Sequence, residues 1–195
     1  DFRGVERLVL VACGTAYYAC VTAKYWFERI ARLPVEVDIA SEFRYREPPI
    51  TDRTLALFVS QSGETADTLA ALRFSQGKAE KTLALVNVAE SSIARESDMA
   101  LPIHAGVEIG VASTKAFTTQ LAALSLFTLA LARRNGLEPE DERKLTSLIQ
   151  HVPALIESAL GLDPVIEKLA ERFADKDHTL FLGRGTQYPI AMEGA

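Results

Sequence analysis

The chain has 195 residues, with Lys+Arg 21 and Asp+Glu 26 giving a formal net charge of −5. Hydrophobic residues make up 48% and charged residues 24%, which excludes a disordered chain and supplies a core for one domain, or one domain and part of another. The acidic balance excludes a broad nucleic-acid surface, but not a small anionic ligand, because backbone amides bind anions without net positive charge.

The predicted elements alternate. Leu8–Ala12 is a continuous apolar run followed at once by Gly14, the pattern of a strand covered on both faces. A helical pattern runs from Ala16 to the stop at Leu33-Pro34, and Val35–Ile39 is a second strand. Ser41–Glu47 is charged and aromatic and reads as an exposed segment or subunit contact. Leu55–Val59 is a third strand, ending in the polar cluster Ser60–Thr65. A helix through Leu69, Leu72 and Phe74 breaks at Gly77; Thr82–Val88 is a fourth strand, Ser92–Ser97 one helical turn, and Met99–Ile103 a short fifth strand. This order predicts an α/β fold with a doubly wound, five-stranded parallel sheet. Its ligand then belongs at the C-terminal strand edge, at the switch in strand order.

Ser113 is placed to cap a long helix reaching about Asn135, with Gly136 as the C′ residue. Its longest apolar stretch, Leu121–Ala132, is too short to span a bilayer. Helical patterns continue to about Ala174, interrupted near Gly161–Pro164, and read as a connector. Thr179–Leu182 is then a strand again. Gly183–Tyr188 repeats the x-Gly-Thr-x-Tyr pattern of Cys13–Tyr17, so a second unit starts here. The division is therefore 1–136 as one whole domain, 137–178 as a helical linker and 179–195 as the truncated start of a second domain.

Ser60-Gln61-Ser62-Gly63-Glu64-Thr65 sets hydroxyls, an amide and a glycine between a strand end and a helix start. A helix N-terminus offers unpaired N–H groups and partial positive charge, so the stretch forms a cradle for a phosphate monoester. Judged alone it has an equal rival: Ser62 and Thr65 as helix caps and Glu64 as a partner of the helix dipole. No Walker sequence and no G-x-G-x-x-G follow the first strand. Thr15, and Ser113 with Thr114 and Lys115, add polar groups at two further helix starts. Together they favour a polyhydroxylated phosphate ester. Cys13 has no base clearly placed to activate it, and His104, the best placed histidine, reads as structural. No cluster has metal-ligand spacing, and neither metal nor cofactor is expected. Cys13 and Cys20 have neither CxxC nor framework spacing, which fits a reducing cytoplasm.

Cys13-Gly14-Thr15, Ala40–Arg46, Ser60–Thr68 and Glu108–Thr119 resemble the isomerase half of the glutamine–fructose-6-phosphate aminotransferase family. That half is built from two sugar-isomerase (SIS) domains, and Phe181–Ala195 resembles the opening of the second. The resemblance implies a flavodoxin-like SIS fold, fructose-6-phosphate or a related phosphosugar as ligand, and a product on the route to UDP-N-acetylglucosamine. It implies that Ser60, Gln61, Ser62 and Thr65 hold the phosphate and neighbouring sugar oxygens. Thr15, Val111 and Ser113 would contact the sugar chain, Val111 through its backbone. Gln61 would also serve as a donor to the reacting oxygen. Ala16 departs from the pattern, since many relatives carry a hydroxyl there. The family's catalytic lysine, glutamate and histidine of this half fall beyond Ala195, and its glutaminase domain is absent from this sequence. The chain is therefore expected to bind without turnover, and to form a homodimer as relatives do, without nucleic-acid or membrane partners. A phosphosugar-sensing SIS module and a simple phosphosugar isomerase are the alternatives.

Overall fold

The computed structural model describes residues 2–110 and 113–195. Five parallel strands form one sheet: β1 (Arg7–Ala12), β2 (Val35–Ile39), β3 (Thr54–Ser60), β4 (Lys81–Val86) and β5 (Met99–Pro102), in the order β2-β1-β3-β4-β5. The helices are α1 (Gly14–Trp26), α2 (Ala40–Arg46), α3 (Ala66–Ser75), α4 (Ser92–Glu96), α5 (Lys115–Arg134), α6 (Pro139–Leu160), α7 (Asp163–Ala170) and α8 (Tyr188–Gly194). This is the doubly wound arrangement expected from the strand–helix alternation.

Alternation along each strand feeds two cores. Leu8, Leu10, Leu55, Leu57, Leu83 and Leu85 point to the face covered by α1 and α5. Val9, Val11, Ala56, Phe58, Ala84 and Val86 point to the face covered by α2, α3 and α4. All of these are buried, and each large apolar side chain contributes about 1.5–3 kcal/mol relative to exposure. Burial on both faces is why these strands read as unbroken apolar runs.

Four elements differ from the sequence expectation. The first helix is regular only to Trp26; Phe27–Ala31 form a π turn, which ends at Arg32 with a left-handed φ of 56°. That turn buries Phe27 edge-on against Phe127 of α5, with ring centroids 5.9 Å apart. The Asn135 side-chain amide donates to the Ala31 carbonyl (2.7 Å), so the end of α5 braces the widened turn. Ser41–Glu47 is not simply exposed. Most of it forms α2, which buries Phe43 against Phe74 and leaves Arg46 to pair with Glu36 and Asp38 at the surface. β4 stops at Val86 because the Asn87 N–H leaves the ladder and donates to the Gln61 carbonyl (3.1 Å). Thr179–Leu182 forms no strand. Among the described residues no neighbouring strand satisfies its backbone, and Leu180 and Leu182 are 80% and 82% exposed.

α5 is long and apolar enough by composition to cross a bilayer, but Ala116, Leu124, Phe127 and Leu131 are buried in the sheet-facing core. Its C-terminus closes in a Schellman arrangement around Gly136 (φ 89°). The Leu137 N–H donates to Ala132 (2.9 Å) and the Gly136 N–H to Arg133 (3.3 Å). α6 and α7 bury no residue at all. α8 turns back onto α1, so the C-terminal stretch reaches the mouth of the first strand–helix turn.

Candidate functional site

In the order β2-β1-β3, the chain leaves β1 toward one side and returns on the other, so the switch point lies between β1 and β3. A cavity of about 200 Å³ opens there, lined by residues of three segments. Cys13, Thr15 and Ala16 come from the start of α1; Val59, Ser60, Gln61, Ser62 and Thr65 from the end of β3 and its loop; Ser113 and Gln120 from the α5 side. Of the sequence-predicted residues, Thr15, Ser60, Gln61, Ser62, Thr65 and Ser113 are thus brought together. Val111 lies outside the described residues.

The 60–65 loop is held in shape by its own hydroxyls. Ser60 Oγ accepts the Gly63 N–H (3.0 Å) and is paired with Thr65 Oγ1 (2.9 Å). Ser62 Oγ accepts the Glu64 N–H (3.2 Å). None of these is a cap of α3, whose N-cap residue Thr65 makes no side-chain capping bond. The first-turn N–H groups of α3 therefore retain their anion-binding capacity. The rival capping role of Ser62 and Thr65 is not what the structure adopts. Glu64 leaves its own helix too: its carboxylate accepts the Ser92 N–H of α4 (2.7 Å), and that bond holds its pKa below the usual carboxylate range.

The loop is clamped from the β4 side. The Gly63 carbonyl accepts the Ile93 N–H (3.0 Å), and the Gln61 carbonyl accepts the Asn87 N–H. Asn87 Oδ1 accepts the Ala105 N–H (2.8 Å) while its Nδ2 donates to the Gly106 carbonyl (2.7 Å). One asparagine thus ties the cradle to the loop that leads into α5. Gly63 has φ 65°, and a Cβ there would overlap Ser91 Oγ and lie 2.5 Å from Ser91 Cβ. Only glycine fits both the conformation and the space.

At the α5 side, Ser113 does not cap the helix; Thr114 holds the N-cap position and makes no side-chain capping bond. Glu108 Oε1 accepts the Thr114 N–H (3.0 Å), and its Oε2 accepts from the Ser113 hydroxyl (3.3 Å); the helix begins at Lys115. On the α1 side, the Thr15 hydroxyl donates to Glu193 of α8 (2.7 Å). Its single proton is spent there, so toward the cavity Thr15 offers lone pairs.

Cys13 lines the cavity as a free thiol, and no histidine shares the lining. His104 is exposed, in a left-handed conformation with φ 53°, and is not among the residues that line the cavity. Burial pushes the Cys20 thiol up. Among the described residues, no group of three or more His, Cys, Asp or Glu side chains could hold a metal. Sequence reasoning passed over Gln120, Asn87, Glu108 and Glu193. Gln120 had a signal: it is polar on the same stripe as Leu124, Phe127 and Leu131.

The SIS domain sequence profile matches residues 1–130. The chain is 56% identical over 196 residues to the glutamine–fructose-6-phosphate aminotransferase [isomerizing] of Bradyrhizobium diazoefficiens, covering 100% of this chain and 32% of that protein. It is 55% identical over 192 residues to the protein of the same name from Pectobacterium atrosepticum, covering 98% of this chain and 32% of the relative. The solved C-terminal domain of glucosamine-fructose-6-phosphate aminotransferase from Francisella tularensis superimposes with a TM-score of 0.97 at 51% identity, over 100% of this chain and 55% of that one. The chain thus spans about a third of the length of the curated relatives it matches.

Proposed function

Because the chain belongs to the SIS domain family, we propose that it is the phosphosugar-holding part of an isomerising glutamine–fructose-6-phosphate aminotransferase, the enzyme that makes glucosamine-6-phosphate from fructose-6-phosphate and glutamine. The observation that carries this reading is the convergence of the Ser60–Thr65 loop, the uncapped start of α3, Thr15 and Ser113 on one cavity at the switch point. Relatives more than half identical, and named for that activity, support it.

In this reading the phosphate lies against Ser60, Ser62, Thr65 and the α3 N–H groups, with Gln61 beside the sugar. Each charge-assisted contact contributes about 1.5–3 kcal/mol. Thr15, Ser113 and Val111 contact the sugar chain. Among the described residues the lining contains no lysine, histidine or carboxylate, and the reading gives the cavity a holding role. The partners are a phosphosugar, a glutaminase domain and a second copy of the chain, in a cytoplasmic setting that feeds UDP-N-acetylglucosamine synthesis. Residues 179–195 serve as the opening of a second SIS domain after the linker 137–178.

Calorimetric titration of the chain with fructose-6-phosphate, fructose and inorganic phosphate tests the ligand. Fructose-6-phosphate is expected to bind at least tenfold more tightly than either half-ligand. Equal affinity for fructose and fructose-6-phosphate would remove the cradle from the reading. Assembly is tested on the same sample. Leu148, Leu155, Leu160, Val165 and Ile166 of α6 and α7 are exposed, and clustered apolar surface left wet marks an association site. Light scattering is expected to give twice the chain mass of 21.3 kDa. A monomer at high concentration contradicts the homodimer.

A further inference from the structure

Gln120 is 1% exposed, and its side-chain carbonyl oxygen is buried with no hydrogen-bond partner. Its neighbours on the stripe, Ala116, Leu124 and Phe127, are apolar, as a purely structural position would be. Burying a carboxamide oxygen without a partner costs free energy that a methionine or leucine would not. The same side chain lines the cradle cavity, with Thr15 and Ser113.

Resting on the phosphosugar reading, we propose that Gln120 is a ligand-binding residue whose carbonyl oxygen accepts a hydrogen bond from a hydroxyl of the sugar chain. The chemistry decides which part of the ligand it meets. A carbonyl oxygen only accepts. A phosphate dianion has no proton to give, whereas each sugar hydroxyl has one. The hydroxyl groups and the α3 N–H groups gather at the Ser60–Thr65 loop, where an anion is served. Thr15, whose own proton goes to Glu193, offers lone pairs to the rest of the cavity, and Gln120, which shares that lining, carries the unpartnered carbonyl oxygen beside it. The cavity is thus divided into a donor-rich end for the phosphate and an acceptor-bearing side for hydroxyls. That division selects a polyhydroxylated phosphate ester over a simple phosphate.

The test compares the unaltered chain with Gln120→Met, which keeps the length of the side chain and removes its polar end. Both are titrated with fructose-6-phosphate and, by competition, with inorganic phosphate, and both are melted. The variant is expected to lose about five- to tenfold in fructose-6-phosphate affinity, the equivalent of one hydrogen bond. Its phosphate affinity should stay within twofold and its melting temperature should not fall. Unchanged fructose-6-phosphate affinity overturns the inference. So does a parallel loss for both ligands with a lower melting temperature, which marks a structural glutamine. Should the variant fail to fold, the Gln120 side-chain NH2 resonances of the unaltered chain decide. They should shift with fructose-6-phosphate and not with phosphate; no shift overturns the assignment. If the unaltered chain binds neither ligand, the phosphosugar reading itself fails. Normal binding that ignores Gln120 removes only this inference.

Discussion

Gly63→Ala is expected to cost the chain about 2–5 kcal/mol and its ligand affinity together, from a left-handed Cβ penalty of about 1–2 kcal/mol and an overpacking cost of about 1–3 kcal/mol. Gly63 adopts φ 65°, and its missing Cβ would overlap Ser91 Oγ and approach Val86 Cγ1 to 3.3 Å. Ser91 has little room to yield: it is 1% exposed, and its backbone N–H is held by Val88. The loop cannot swing away without breaking the Gly63 N–H bond to Ser60 and the Ile93 N–H bond to the Gly63 carbonyl. Urea unfolding would read the stability and calorimetry the binding. Adding Ser91→Gly should restore the steric part and leave the conformational part. A Gly63→Ala protein of unchanged stability would show that the loop is not clamped as described.

The paired substitution Ser62→Ala with Thr65→Val should do the opposite: little to the fold, much to the ligand. Both residues are partly exposed, and each hydroxyl makes one loop hydrogen bond. Their loss should change stability by about 1 kcal/mol or less. Bound to a phosphate, each forms a hydrogen bond to a charged group worth about 1.5–3 kcal/mol. Removing both should lower fructose-6-phosphate affinity by roughly a hundredfold or more. Calorimetry alongside a thermal melt separates the two effects. A variant that binds as well as the parent removes these hydroxyls from the site.

Much of this architecture is legible in the sequence because its causes are local. Leu8–Ala12 and Leu55–Val59 read as buried parallel strands since both faces are covered, and Gly136 reads as a helix stop since only a left-handed residue closes the end of α5. The site residues that escaped notice depend on contacts far along the chain. Thr15 meets Glu193 across 178 residues, and Asn87 braces Ala105 and Gly106 across 18 and 19. No periodicity reports such pairs. Ser113 reads as a cap by residue type, but Thr114 holds the N-cap position, and Glu108 reaches its N–H from the preceding loop. The π turn at Phe27–Ala31 is likewise set by tertiary packing, on Phe127 and Asn135. Thr179–Leu182 has the composition of a strand, but composition cannot supply the neighbour that a strand requires.

The position of a bound phosphate is the measurement that tests the central claim most directly. A crystal structure of the chain with fructose-6-phosphate should place the phosphorus at the start of α3, with its oxygens within about 2.7–3.2 Å of the Ser62 and Thr65 hydroxyls and the first N–H groups of the helix. The sugar hydroxyls should extend toward Thr15, Ser113 and Gln120. Phosphate density instead in the cleft beside Arg7 and Arg53, at the opposite edge of the sheet, would contradict the account.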